Sequence, residues 1–220
     1  MYDAALERLR GAGRVYPCAC TRREIADSAI DGIDGPVYPG TCRNGLAADK
    51  AARAWRLDTR DTLIEYEDCI QGPQRQNVAR DVGDFVLLRA DRVFAYQLAV
   101  VVDDADQGIT DVVRGADLLD STPRQIYLQR LLGAPTPRYC HVPVAVNERG
   151  EKLSKQTLAA PVNDARPLPA LVNALNFLGQ QPPDNLADTT PGEFWQWALA
   201  HWQLTRIPRR RTAPLPQSAP

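Results

Sequence analysis

Phe94-Ala95-Tyr96-Gln97-Leu98-Ala99-Val100-Val101-Val102-Asp103-Asp104 leads through Gln107-Gly108-Ile109-Thr110 into Val113-Arg114-Gly115-Ala116-Asp117-Leu118-Leu119. The apolar run Leu98 to Val102 fits a buried helix or a strand, and periodicity alone does not separate the two. Ile109 to Arg114 reads as a strand closed by Gly115. Ser121-Thr122-Pro123 then opens a helix, with a hydroxyl cap, proline early in the first turn, Ile126 and Leu131 facing inward and Gly133 as its stop. Strands mixed with helices through the middle of the chain predict an α/β fold, without a complete βαβ series.

The same mixture extends outward. Trp55 to Asp58, Leu63 to Glu67 and Phe85 to Leu88 read as strands, the last pairing with Val93 to Tyr96 across Ala90-Asp91-Arg92. His141 to Val146 reads as one further strand. Pro167 to Gly179 carries Leu171, Leu175 and Leu178 on one helical stripe, and Phe194 to Trp202 is an aromatic helix. From Ile207 the chain is rich in proline and arginine and is expected to be disordered. At the other end Tyr2 to Leu9 forms an amphipathic helix with Ala5, Leu6 and Leu9 on one face. That face is expected to lack a partner within the chain.

The 220 residues are 44% hydrophobic and 24% charged, with 26 basic against 27 acidic side chains. Such a chain buries a core and carries no global electrostatic signature of a nucleic-acid binder, so any RNA contact must come from local patches. No apolar run reaches the ~20 residues of a membrane span, and Tyr2 to Gly13 is not an apolar leader. A cytoplasmic, membrane-free protein is expected. Its five cysteines favour metal binding over disulfides in a reducing compartment.

Three of these cysteines cluster. Cys18-X-Cys20 is followed by Tyr38-X-X-X-Cys42 within a Gly- and Pro-rich segment, Val15 to Arg43, in which Thr21 and Glu24 sit at the positions of a capping box. Zinc asks for four N, O or S ligands in a tetrahedron. Neither His141 nor His201 is near in sequence, whereas Tyr38 is. The plain alternative is three buried structural cysteines. Lys152-Leu153-Ser154-Lys155-Gln156 places two ammonium groups on a polar loop, where they could meet a polyphosphate or simply be solvated. Tyr96 and Arg114 could form the wall of a pocket, since a guanidinium grips a carboxylate through two hydrogen bonds. The acidic run Asp103, Asp104 and Asp106 reads as a solvated helix end, and Cys69 and Cys140 as ordinary lone cysteines. Arg206, Arg209, Arg210 and Arg211 could touch RNA phosphates or be solvated.

Taken together and in order, these segments resemble the class I aminoacyl-tRNA synthetases of the glutamate type. Lys152 to Gln156 is similar to their KMSKS signature in the form KLSKQ. The set Cys18, Cys20, Tyr38, Cys42 resembles the zinc site of the glutamyl-queuosine branch. About 65 residues follow the KLSKQ loop, too few for a separate anticodon-binding domain of usual size. The resemblance covers roughly residues 2 to 207.

It implies a Rossmann-like class I catalytic domain over 1–160 containing a small zinc-binding insertion at 15–43, a helical part over 161–207 and a disordered tail over 208–220. It implies that glutamate and ATP, with Mg2+, form glutamyl-adenylate, and that the glutamyl group passes to queuosine in the anticodon of tRNA(Asp). Tyr96 and Arg114 would then contact glutamate, Lys155 would contact ATP with Lys152 assisting, and Cys18, Cys20, Tyr38 and Cys42 would hold one structural zinc in a monomer. The family's HIGH motif, and the arginine, serine and glutamate that complete its amino-acid pocket, are expected upstream of Met1, so the catalytic domain is expected to be truncated and its activity impaired. A non-catalytic, zinc-stabilised RNA-binding remnant and a truncated glutamyl-tRNA synthetase are the competing expectations.

Overall fold

The computed structural model describes residues 1–27, 30–33, 35–60, 62–154 and 163–215. In chain order its elements are α1 (Tyr2–Gly11), β1 (Val15–Cys18), α2 (Arg22–Ala26), β2 (Asp31–Gly32), β3 (Gly35–Pro36), β4 (Ala54–Leu57), β5 (Leu63–Asp68), β6 (Gly72–Asn77), α3 (Val78–Asp81), β7 (Val86–Leu88), α4 (Tyr96–Asp106) and β8 (Asp111–Gly115). After a 3-10 turn at Ala116–Ser121 come α5 (Thr122–Leu132), β9 (Arg138–Val142), β10 (Val144–Val146), α6 (Pro167–Phe177), α7 (Pro191–His201) and β11 (Thr212–Pro214). The expected α/β class holds in its coarser form, a mixed α/β fold whose three-stranded sheet is antiparallel. Two compact units emerge, one made of Met1–Tyr66, Pro73–Val112 and Asp120–Arg138, the other of Glu67–Gly72, Val113–Leu119 and the chain from Tyr139 onward.

In the first unit, β1, β4 and β7 form an antiparallel sheet in that order, with Pro17 opposite Trp55. Proline is tolerated there because β1 is an edge strand and needs hydrogen bonds on one side only. α1 packs against α4 and α5, which leaves Leu6 and Leu9 buried. This corrects the expectation of an uncovered helix face: the partners lie about a hundred residues downstream, where no local pattern reveals them. Burying each leucine contributes about 1.5–3 kcal/mol. The phenol of Tyr2 adds a 2.6 Å hydrogen bond to Asp103 at the far end of α4.

α4 settles the ambiguity of Leu98 to Val102 as a helix, with Leu98 and Val101 buried three residues apart on one face. The expected hairpin strand Val93 to Tyr96 reduces to a single bridge from Leu88 to Phe94, and Tyr96 is already the first residue of α4. α2 starts on the expected capping box of Thr21 and Glu24. In α5 the expected hydroxyl cap is absent: Ser121 has helical φ and ψ and makes no capping bond. Its Oγ instead accepts from Gln97 and Arg124, at 3.2 and 3.1 Å. Gly133, in the left-handed region, ends α5 as expected.

In the second unit, the expected strand His141 to Val146 is split at Pro143 into β9 and β10, because proline has no N–H for a ladder. α6 and α7 enclose an apolar cluster of Leu175, Leu186, Phe194 and Ala198. The stretch expected to be disordered from Ile207 is largely laid down. Thr212–Pro214 pairs in parallel with β10, and Ile207 and Ala213 are 3% exposed. Parallel pairing and apolar contacts made far from the segment outweigh its unfavourable composition; residues 216–220 lie outside the described residues. Among the described residues no helix is long and apolar enough to cross a membrane.

Candidate functional site

β1 and its continuation deliver Cys18 and Cys20 to one side of the first unit, and the Tyr38–Cys42 turn folds back onto them. The three sulfurs lie within 4.8 Å of one another. Tyr38 Oη stands 3.5 Å from Cys18 Sγ and 3.6 Å from Cys20 Sγ, and Cys20 Sγ stands 3.6 Å from Cys42 Sγ. A tetrahedral zinc with ~2.3 Å bonds to sulfur and ~2.1 Å bonds to oxygen has S–S edges of about 3.8 Å and S–O edges of about 3.6 Å. These three separations lie within about 0.2 Å of those edges, and none is short enough for a disulfide. The four side chains therefore fit zinc in both chemistry and spacing. Among the described residues this is the only group of three His, Cys, Asp or Glu side chains close enough to hold a metal ion.

Gly83 lets Tyr38 take this place. A Cβ on it would stand 2.8 Å from Val37 Cγ1 and 3.0 Å from the Tyr38 nitrogen, and its φ is +76°. The backbones of Tyr38 and Gly83 pair directly in consequence.

Positive groups surround the cluster. The Cys42 backbone N–H donates to Tyr38 Oη at 2.9 Å. Arg56, buried, donates from Nε to Cys18 Sγ at 3.3 Å and lies 4.0 Å over the Tyr38 ring. Burial pushes the Tyr38 phenol and the Cys20 thiol above their ordinary ranges. At Cys42 burial also pushes upward, but hydrogen bonds from Tyr38, the Ala19 backbone and the other two thiols outweigh it and hold the thiol low. Asp84 ties the surroundings together. Its Oδ1 accepts from the N–H and hydroxyl of Thr59 at 2.9 and 2.8 Å. Its Oδ2 accepts from Arg43 Nη2 at 2.7 Å and from Tyr16 Oη, and its carbonyl accepts from Arg56 Nη1 at 2.7 Å.

The other expected site residues fall in both units. Tyr96 opens α4 in the first unit and is half exposed. Arg114, in the second, sits at the end of β8 and donates from Nε to His141 Nε2 at 3.0 Å. Its guanidinium lies 5.4 Å from the centre of the Tyr139 ring. Lys152 forms an ion pair with Asp117. Gly115 makes room for that carboxylate, since a Cβ there would stand 2.4 Å from Asp117 Oδ1. Lys155 and Gln156 lie outside the described residues.

Residues 41–187 match the family model for the catalytic domain of class I tRNA synthetases for E and Q. A glutamyl-Q tRNA(Asp) synthetase of Aromatoleum aromaticum is 59% identical over 98% of this chain, which spans 68% of that protein. The chain belongs to the glutamyl-Q tRNA(Asp) synthetase family of class I tRNA synthetases. A second relative of that name, from Chromobacterium violaceum, is 55% identical over 94% of the chain, which covers 69% of it. In fold, this synthetase superposes on a glutamate-tRNA synthetase of Elizabethkingia anophelis with a TM-score of 0.72, at 20% identity, covering 98% of this chain and half of that one.

Several polar residues of this synthetase belong to no sequence motif: Arg56 and Asp84 around the cysteines, and Asp68 and His141 beside Arg114. In the sequence His141 stands out only as a histidine too far from the cysteines to suggest a zinc ligand. Period-2 alternation along β5 marks Asp68 as an inward position, whereas β9 buries Tyr139, Cys140 and His141 in succession and gives no such signal for His141; a buried Asp or His demands a partner. Only the fold reveals which.

Proposed function

We propose that the chain activates glutamate with ATP and passes the glutamyl group to queuosine in the anticodon of tRNA(Asp), using a Rossmann-like class I catalytic domain that carries a zinc-binding insertion. The single observation that carries this is 59% identity over 98% of the chain to a glutamyl-Q tRNA(Asp) synthetase.

In the first step a glutamate carboxylate oxygen attacks the α-phosphorus of ATP, and pyrophosphate leaves as the mixed anhydride forms. Arg114 and Tyr96 hold the amino acid, the guanidinium neutralising a carboxylate and the phenol offering a hydrogen bond. Lys152 and Lys155 meet the charge that grows on the departing phosphates, with Mg2+ accompanying ATP. In the second step the queuosine nucleophile takes the acyl group and AMP leaves. Cys18, Cys20, Tyr38 and Cys42 would hold a structural zinc, since four protein ligands leave no open position for chemistry.

The test is glutamate-dependent ATP–pyrophosphate exchange without tRNA, followed by transfer of labelled glutamate to tRNA(Asp) with and without queuosine. Exchange with glutamate, and label only on the queuosine-bearing tRNA, is the expected result. Label at the 3′ end would make the chain an ordinary glutamyl-tRNA synthetase, and an absence of exchange would refute the activation step.

A further inference from the structure

Asp68 and His141 are buried, at 1% and 0% exposure. Asp68 Oδ1 accepts three backbone N–H groups, from Ile70, Gln71 and His141, at 3.0, 2.8 and 3.1 Å. Its Oδ2 lies 2.6 Å from His141 Nδ1. On the opposite edge of the ring, Nε2 faces Arg114 Nε at 3.0 Å. A guanidinium only donates, so Nε2 must present its lone pair and the ring proton must sit on Nδ1, facing the carboxylate. Tyr139 stacks on the imidazole at 6.1 Å and 17°, so the ring is fixed in plane as well as in tautomer.

We propose that Asp68 and His141 are positioning residues for the glutamate-binding Arg114. The carboxylate fixes the Nδ1–H tautomer, and the Nε2 lone pair then orients the guanidinium. This rests on the reading of Arg114 given above. The arrangement also balances charge: an anionic Asp68 answers a cationic Arg114 through the ring between them, which makes the burial of Asp68 and His141 beside a partly buried Arg114 tolerable.

Asp68→Asn tests the proposal. Three backbone N–H groups demand the amide oxygen at the Oδ1 position, so the amide NH2 faces Nδ1. The ring must then carry its proton on Nε2, where it opposes the Arg114 N–H. The expected results are a switch of tautomer, read from the imidazole 15N shifts without any substrate, and a rise in the glutamate KM of about tenfold or more with the ATP KM within about twofold. His141→Gln, which can offer an oxygen near the Nε2 position, should retain more glutamate affinity than His141→Asn, which cannot. That pair carries the test should Asp68→Asn fail to fold.

A wild-type ring protonated on Nε2 overturns the proposal. So does a glutamate KM that stays put in Asp68→Asn, or equally in both His141 variants, while Arg114→Ala raises it. If Arg114→Ala itself leaves the glutamate KM unchanged, the glutamate role of Arg114 fails, and the tautomer switch still decides whether Asp68 and His141 orient it.

Discussion

Arg56 donates to the sulfur of Cys18 at 3.3 Å and lies 4.0 Å over the ring of Tyr38, so one buried cation backs two of the four proposed zinc ligands. Three thiolates and a phenolate around a divalent ion leave an excess of negative charge in a largely desolvated place. A guanidinium held by the Asp84 carbonyl offsets it.

Replacing Arg56 by Met should therefore lower zinc affinity about 10- to 100-fold, the usual range for partners that contact metal ligands without binding the metal. Competition against a chromophoric chelator reads this. Equal affinity in variant and wild type would show that the arginine serves packing alone.

Tyr38→Phe removes the one oxygen ligand and should weaken zinc binding while leaving the fold in place. Tyr38→Cys should retain the ion in a four-sulfur site. Metal content after gel filtration measures both, and full zinc in Tyr38→Phe would exclude the phenol as a ligand.

Asp84→Ala should cost about 3 kcal/mol of stability, because it strands the buried Thr59 and Tyr16 donors. The contribution of Arg43 is discounted, as its side chain is 42% exposed and water can replace the lost carboxylate. Urea unfolding of variant and wild type reads the difference, which should appear as a lower midpoint with an unchanged slope.

Acid should destabilise the protein through Asp68. Burial pushes this carboxyl upward, but hydrogen bonds from the His141 ring and from the backbones of Gln71, His141 and Ile70 outweigh it and hold it below the usual range. A depressed folded pKa gives stability that is fully present above the unfolded value, about 3.9, and is lost as pH falls through the folded one. Glu24, held at about 2 by the Thr21 N–H and hydroxyl and by Lys50, has the same sign, with its window between its ordinary 4.5 and about 2. Unfolding midpoints of wild type and Asp68→Asn should differ at pH 7 and converge toward pH 2; a constant gap would exclude the carboxylate charge as the cause.

Local features were legible in the sequence because they rest on neighbours in the chain. The capping box of Thr21 and Glu24, the Gly133 stop and the strands at Trp55 and Leu63 each follow from short-range backbone chemistry. The Cys18, Cys20, Tyr38, Cys42 set was legible for the same reason, since 25 residues with Gly and Pro can close on themselves. The motif order from Phe94 to Leu119 gave the family, which the relatives bear out.

Only the tertiary structure could decide contacts that join distant segments. Leu6 and Leu9 of α1 find α4 and α5, Thr212–Pro214 becomes a strand because β10 is there to pair with it, and Asp68 meets His141 across 73 residues of chain. Sequence states which side chains must be buried or satisfied. Which partner satisfies them is set by long-range packing, where hydrophobic burial is non-directional and a buried donor or acceptor accepts any partner of the right geometry that the fold brings within reach.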